Sequence, residues 1–105
     1  MQNEKEKVYS LLEKVPRGKV TTYYELAKAT GTHSRVVAVF MAINKDPQNV
    51  PCYKVVRSDG RVGGYSGPGG KRRKVKLLEK DGITVKDGRI DLKKHMFRFT
   101  GSEKP

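Results

Sequence analysis

The fold turns on Thr22-Tyr23-Tyr24-Glu25-Leu26-Ala27-Lys28-Ala29-Thr30-Gly31-Thr32-His33-Ser34-Arg35-Val36-Val37-Ala38-Val39-Phe40-Met41-Ala42-Ile43. Thr22 and Glu25 have the spacing of a capping box, in which a hydroxyl and a carboxylate satisfy N–H groups that a helix start leaves without partners. Leu26, Ala27 and Ala29 continue that helix. Gly31 ends it, because glycine enters a left-handed turn without a Cβ clash. Thr32 is the expected cap of the next helix, with Val36, Val37, Val39, Phe40 and Ile43 as its apolar stock. Small Ala27 lets the two helices approach, and Val37 fills the space between them. This is the pattern of a helix-turn-helix. An ordinary helical hairpin shares it, and the charge of the chain selects the DNA-reading form.

Upstream, Val8, Leu11, Leu12 and Val15 recur at i, i+3, i+4 and i+7, one face of a helix. Asn3 caps it, and Pro16-Arg17-Gly18 stops it. Downstream, Pro47 and Pro51 bound a loop that leads to Cys52. Tyr53-Lys54-Val55-Val56-Arg57 then reads as a strand that doubles back across Asp59-Gly60. That hairpin would be a wing carrying Arg57 and Arg61 to phosphates. Tyr65 to Gly70 is too rich in glycine and proline for regular structure. Lys71-Arg72-Arg73-Lys74 opens a helix that holds Val75, Leu77 and Leu78 and closes at Gly82. Four cations at a helix start oppose its dipole, which a docked phosphate would offset; a solvated face is the alternative. Ile83-Thr84-Val85 and Arg89-Ile90-Asp91-Leu92, joined across Asp87-Gly88, form a second hairpin. The fold class is therefore mainly α with small β hairpins, a winged helix-turn-helix. Residues 1–100 form one domain, and residues 101–105 form a disordered tail.

The 105 residues carry 23 Lys and Arg against 11 Asp and Glu, a formal charge of +12. Self-repulsion on that scale calls for an anionic partner, and nucleic acid gains affinity by releasing counterions. No apolar run approaches the roughly 20 residues of a membrane span. The charged start Met1-Gln2-Asn3-Glu4-Lys5 lacks a signal-peptide core. The expectation is a monomeric cytoplasmic protein, nucleoid-associated if prokaryotic, with no membrane partner. Cys52 is the single cysteine, so no internal disulfide forms. His33 and His95 lack ligand spacing, so neither a metal nor a cofactor is expected.

With these residues in view, the chain from about Val8 to Gly82 resembles the active-site domain of O6-alkylguanine-DNA alkyltransferases. Val50-Pro51-Cys52-Tyr53-Lys54-Val55-Val56 is similar to the family's Pro-Cys-His-Arg-Val box. Tyr65-Ser66-Gly67 stands in register with its Tyr-Ser-Gly loop. Arg35 and Asn44 also fall in register. The resemblance implies a partner, double-stranded DNA containing O6-alkylguanine, and one irreversible transfer of the alkyl group from guanine O6 to the Cys52 sulfur. The target nucleotide must leave the duplex for this, at a cost of about a few kcal/mol. By resemblance, Arg35 fills the vacated stack and Tyr23 crowds the target's 3′ phosphate. Asn44 serves as hinge to the cysteine loop. Val50 and Pro51 hold that loop, and Tyr65 and Ser66 donate hydrogen bonds to the base. Thr32, Ser34, Arg57, Arg61, Lys71 and Arg72 complete the expected DNA surface.

One departure bears on chemistry. The family's His after the cysteine, which works with a Glu through water to take the thiol proton, is Tyr53 here. Asp81 best matches the Glu, with Glu79 as second candidate because two extra residues lie between Ser66 and Leu77. Phenol titrates near ~10 and accepts protons poorly at neutral pH. The family has a sister group of alkyltransferase-like proteins that bind alkylated guanine without a reactive cysteine and flag it for other repair pathways. A suicide alkyltransferase, a non-catalytic lesion binder and a winged-helix regulator indifferent to alkylation are the three readings. Cys52 with Tyr65-Ser66 favours the first.

Overall fold

A computed structural model describes residues 3–65 and 67–99. Ser66 and the expected tail lie outside the described residues. Helix α1 (Glu4–Leu12) begins with a complete capping box: the Asn3 side chain accepts from Glu6 N–H, and the Glu6 carboxylate accepts from Asn3 N–H. It ends at Leu12, yet Val15 still reaches the core at 4% exposure. Pro16 disfavours helical backbone at Val15, which accounts for the early stop.

Helix α2 (Tyr23–Thr30) follows strand β1 (Thr21–Thr22) directly. Thr22 Oγ1 accepts from Glu25 N–H at 3.0 Å. The Glu25 carboxylate turns instead toward Lys28 and Arg98, each at 3.7 Å. Gly31 ends α2 at φ +72°, and the N–H groups of Gly31 and Thr32 both reach the Ala27 carbonyl. Thr32 is thereby consumed in closing α2. The cap of α3 (Ser34–Ala42) is His33, whose Nδ1 accepts from Arg35 N–H, a correction to the expected Thr32 cap. Ala27 and Val37 are buried between these helices.

Beyond the loop at residues 43–51, a 3-10 turn (Cys52–Lys54) precedes β2 (Val55–Val56). The expected hairpin forms, with Arg57 N–H donating to Arg61 O at 2.9 Å, but its first strand is shorter than read and spans only Val55–Val56. β2 pairs in parallel with β1, Thr21 opposite Val55 and Thr22 opposite Val56. The reversal at Arg57–Gly60 forms, with Gly60 N–H donating to the Arg57 carbonyl at 2.9 Å. Its return arm then joins the second hairpin: Val62 N–H donates to Gly88 O and Ile90 N–H to Gly60 O. Gly60, at φ +91°, permits this approach, because a Cβ there would stand 2.8 Å from the Ile90 carbonyl oxygen.

Helix α4 (Gly70–Lys80) leads to β3 (Val85–Lys86) and β4 (Arg89–Ile90), an antiparallel pair. Asp87 and Gly88 both take positive φ, as a type I′ turn requires. The sequence pattern places Asp91 and Leu92 in the strand; instead Asp91 caps the single turn α5 (Leu92–His95). Successive strand residues point to opposite sides, so Val55 enters a cluster with Val8, Leu12, Leu26, Val37 and Phe99, and Val56 enters one with Val20, Val62, Leu78 and Ile83. Both valines are fully buried, and burial of such a side chain is worth about 1.5–3 kcal/mol. Among the described residues, no helix is long and apolar enough to cross a membrane.

Candidate active site

Cys52 is held by a tight local geometry. Pro51 has φ −78° and ψ 72°, and Cys52 N–H donates to the Val50 carbonyl at 2.7 Å. This is an inverse γ-turn, for which the proline ring presets φ. Asn44 Nδ2 donates to the same carbonyl at 2.8 Å, while its Oδ1 accepts from Asp46 N–H at 3.0 Å. Asn44 thus ties the end of α3 to the cysteine turn, using the carbonyl that the loop exposes. The sulfur residue is 8% exposed and opens on a cavity of about 410 Å³. Tyr23, Ala38, Met41, Ala42, Gly64 and Tyr65 complete its wall. Three of these are consecutive-face residues of α3, so the second helix of the motif forms one side of the thiol pocket.

A second cavity of about 460 Å³ adjoins the first, sharing Tyr23, Ala38 and Gly64. Tyr24, Ser34, Arg35, Arg57 and Ser58 also line it. Arg35, Ser34, Tyr23 and Arg57 therefore stand together on one cationic face. Thr32, Arg61, Lys71 and Arg72 line neither cavity. Arg61 pairs with Asp59 at 3.6 Å, and Lys71 and Arg72 are exposed on the first turn of α4. Tyr65 is half-buried, and Gly67 packs against its ring, where a Cβ would come within 2.7 Å. Burial, then the neighbouring Cys52, pushes the Tyr65 phenol up; the same two causes act on Tyr23.

Tyr53 does not line the thiol cavity. It borders a separate hollow of about 660 Å³ with Pro47, Tyr65, Arg73 and Leu77. Burial, the Asp81 charge and a hydrogen bond to that carboxylate drive the Tyr53 phenol up to about 12. Asp81 is itself occupied: Oδ2 accepts Gly18 N–H at 3.0 Å and faces Lys54 Nζ at 3.4 Å, while Arg17 stands at 3.9 Å. Of the two acidic candidates, Glu79 is exposed and Asp81 is buried.

Two residues escaped the sequence reading. Lys54 Nζ is buried and donates to the Val15 and Pro16 carbonyls at 3.1 and 3.0 Å. Lys74, read as one of four cations at a helix start that face either a phosphate or solvent, is fully buried. Its Nζ donates to Val55 O at 2.7 Å and Gly64 O at 3.0 Å, and lies 5.9 Å from the Tyr23 ring centroid. A signal existed: Lys74, Leu78 and Asp81 fall at i, i+4 and i+7, one buried face of α4.

A helix-turn-helix whose second helix walls a pocket around a buried thiol defines the class. Residues 3–83 match the sequence model of the 6-O-methylguanine DNA methyltransferase, DNA binding domain, and the chain belongs to that family. A bifunctional methyltransferase/endonuclease of Picrophilus torridus is 45% identical over 100 residues, covering 93% of this chain and 33% of that protein. A methylated-DNA–protein-cysteine methyltransferase of Methanothermobacter thermautotrophicus is 38% identical over 79 residues, 75% of this chain and 44% of that one. The chain thus spans a third to a half of the length of these relatives. Among solved structures, S. pombe Atl1 in complex with damaged DNA containing O6-carboxymethylguanine superposes with TM-score 0.82 at 26% identity, covering 94% of this chain and all of that one. The O6-methylguanine-DNA methyltransferase of Pyrococcus kodakaraensis gives TM-score 0.68 at 42% identity, covering 79% and 48%.

Proposed function

We propose that this protein takes an O6-alkylated guanine out of duplex DNA and transfers the alkyl group to Cys52. The observation that carries the reading is the shared cavity: the Cys52 sulfur, Tyr65 and the wall of α3 enclose one opening beside the Arg35–Arg57 face. A flipped base entering there meets the nucleophile while α3 occupies the groove. In the reaction the sulfur bonds to the alkyl carbon as the C–O6 bond breaks. The bonding pair passes to guanine, which takes a proton from water, and the thiol proton leaves to solvent. Tyr65, which lines the cavity, donates a hydrogen bond to the base in this reading as charge develops on it. Arg35 supports the vacated stack, and Tyr23, Ser34 and Arg57 contact the flanking phosphates. Arg61, Lys71 and Arg72 add long-range attraction to DNA rather than contacts at the lesion.

The engagement of Tyr53 with Asp81 favours a second reading, a lesion binder without transfer. Mass spectrometry after incubation with a duplex containing O6-methylguanine separates the two. One added methyl on Cys52, absent from Cys52→Ala, is the expected result. Unmodified protein that still retains the alkylated duplex would overturn transfer in favour of binding.

A further inference from the structure

We propose that four cations in one row across the small strands, Arg57, Arg61, Arg89 and Lys86, grip the phosphate backbone of the duplex beside the lesion. The inference rests on the reading of the Arg35–Arg57 side as the DNA face. It extends that face onto the second hairpin, none of whose residues lines either cavity there. The row follows from register. Arg57 N–H donates to the Arg61 carbonyl at 2.9 Å across the first reversal. Arg61 stands opposite Arg89 in an antiparallel bridge, and Arg89 stands opposite Lys86 within the second hairpin. Val62 N–H donates to Gly88 O and Ile90 N–H to Gly60 O on either side of the Arg61–Arg89 pair. That pair is therefore of the non-hydrogen-bonded kind, whose side chains lie closest.

The residue next to each cation fixes the face. Val56, Val62, Ile90 and Val85 pack in or against one apolar cluster. Arg57, Arg61, Arg89 and Lys86 beside them are exposed. Alternation along each strand thus turns all four charges outward on a common side. Like charges directly opposite on neighbouring strands are destabilising, and a bound anion offsets that cost. Asp59 and Asp87, one at each turn, are the acids of these segments. Asp59 accepts the Arg61 N–H at 3.0 Å and lies 3.6 Å from its guanidinium. Among the described residues, Arg57, Arg89 and Lys86 have no carboxylate partner. One end of the row is anchored on the DNA face, because Arg57 and Ser58 line the same cavity as Ser34 and Arg35. Three strand spacings of about 4.8 Å then carry it roughly 14 Å away. A DNA strand bears one negative charge per ~3.4 Å of axis, so a row of that length spans several phosphates. Such contacts position the duplex and carry no sequence information.

Salt dependence counts phosphate contacts, each adding about 0.9 to the slope of log affinity against log salt concentration. Binding to an unmodified duplex, followed by fluorescence anisotropy over a salt series, is compared in wild type, Arg89→Gln, Lys86→Gln and the double variant. Lys14→Gln, which removes an equal exposed charge just after α1, is the control. Each single substitution in the row is expected to lower the slope by about one and the double by about two. The same decrements are expected on a duplex containing O6-methylguanine. Arg89→Lys keeps the charge and should keep the slope. An unaltered slope in the double variant, or an equal decrement in Lys14→Gln, overturns the proposal. Thermal unfolding separates binding from a structural role. Relief of like-charge repulsion predicts that Arg89→Gln melts no lower than wild type, and a lower midpoint would overturn the assignment. A wild-type chain without affinity for duplex DNA overturns this inference together with the reading it rests on. Duplex binding whose slope ignores the row overturns this inference alone. Failure of methyl transfer with the decrements intact would sink the alkyltransferase reading and leave the row standing.

Discussion

Among the described residues two ammonium groups are buried, and each donates to two backbone carbonyls. Lys54 reaches Val15 and Pro16; Lys74 reaches Val55 and Gly64. They differ in one respect. Lys54 has the Asp81 carboxylate at 3.4 Å, and Lys74 has no carboxylate partner among the described residues. The first is therefore a neutralised pin that joins the cysteine turn to the end of α4 and the segment after α1. The second is a positive charge kept beside the thiol cavity. Carbonyl coordination is alike in both, so the carboxylate is what separates the two lysines.

The contrast breaks most severely at Asp81. Asp81→Asn leaves the Lys54 charge buried without compensation, which costs about 3–5 kcal/mol. Urea unfolding is expected to show that loss; a change within about 0.5 kcal/mol would mean that the carbonyls alone suffice for Lys54.

Alkali sharpens the contrast next, because the two ends of the site respond in opposite senses. Lys74 titrates near 8 when folded and at 10.5 when unfolded, so between these values the unfolded chain binds more protons. Stability therefore rises with pH across that window, by about 3 kcal/mol in full. Tyr53 ionises near 10 unfolded and about 12 folded, so its contribution holds below 10 and is lost as the pH climbs toward 12. Chemical denaturation across alkaline pH should pass through a maximum near 10. Lys74→Met should flatten the rising limb, and Tyr53→Phe should soften the falling one. Wild-type stability that falls steadily from pH 8 would contradict the assignment.

The smallest effect belongs to Arg17, the exposed arm of the Asp81 cluster at 76% side-chain exposure and 3.9 Å. Solvent screens such a pair, so Arg17→Ala should cost no more than about 1 kcal/mol in thermal unfolding. A loss comparable with that of Asp81→Asn would show that Arg17, not Lys54, is the main partner.

Local chemistry was the legible part of this sequence. The Asn3 cap, the Thr22 cap, the Gly31 turn and the Asp87-Gly88 reversal all depend on residues within a few positions of one another. The helix-turn-helix followed from them. The Asn44–Val50 tie was also legible, since Asn44 and the Pro51 turn bracket one short loop. The β1–β2 pairing was not, because two-residue strands in parallel leave no periodicity to read and their partners lie far apart in sequence. That hidden pairing gave Val55–Val56 a partner in β1 that the reading lacked. Thr32 was misread because its N–H was already committed to the preceding helix. Lys74 was legible in spacing and obscured by company: three exposed cations before it suggested one surface patch, while its i+4 relation to Leu78 marked the core.

The parallel joining of β1 to β2 also bears on the order of assembly. Val20 links to Met96 on one side of this seam, and Phe99 completes the cluster that contains Val8 and Cys52. Contacts that span so much of the chain carry a large loop-closure cost and slow folding. The apolar cluster that includes Cys52 is therefore complete only once Phe99, at the far end of the described residues, has docked.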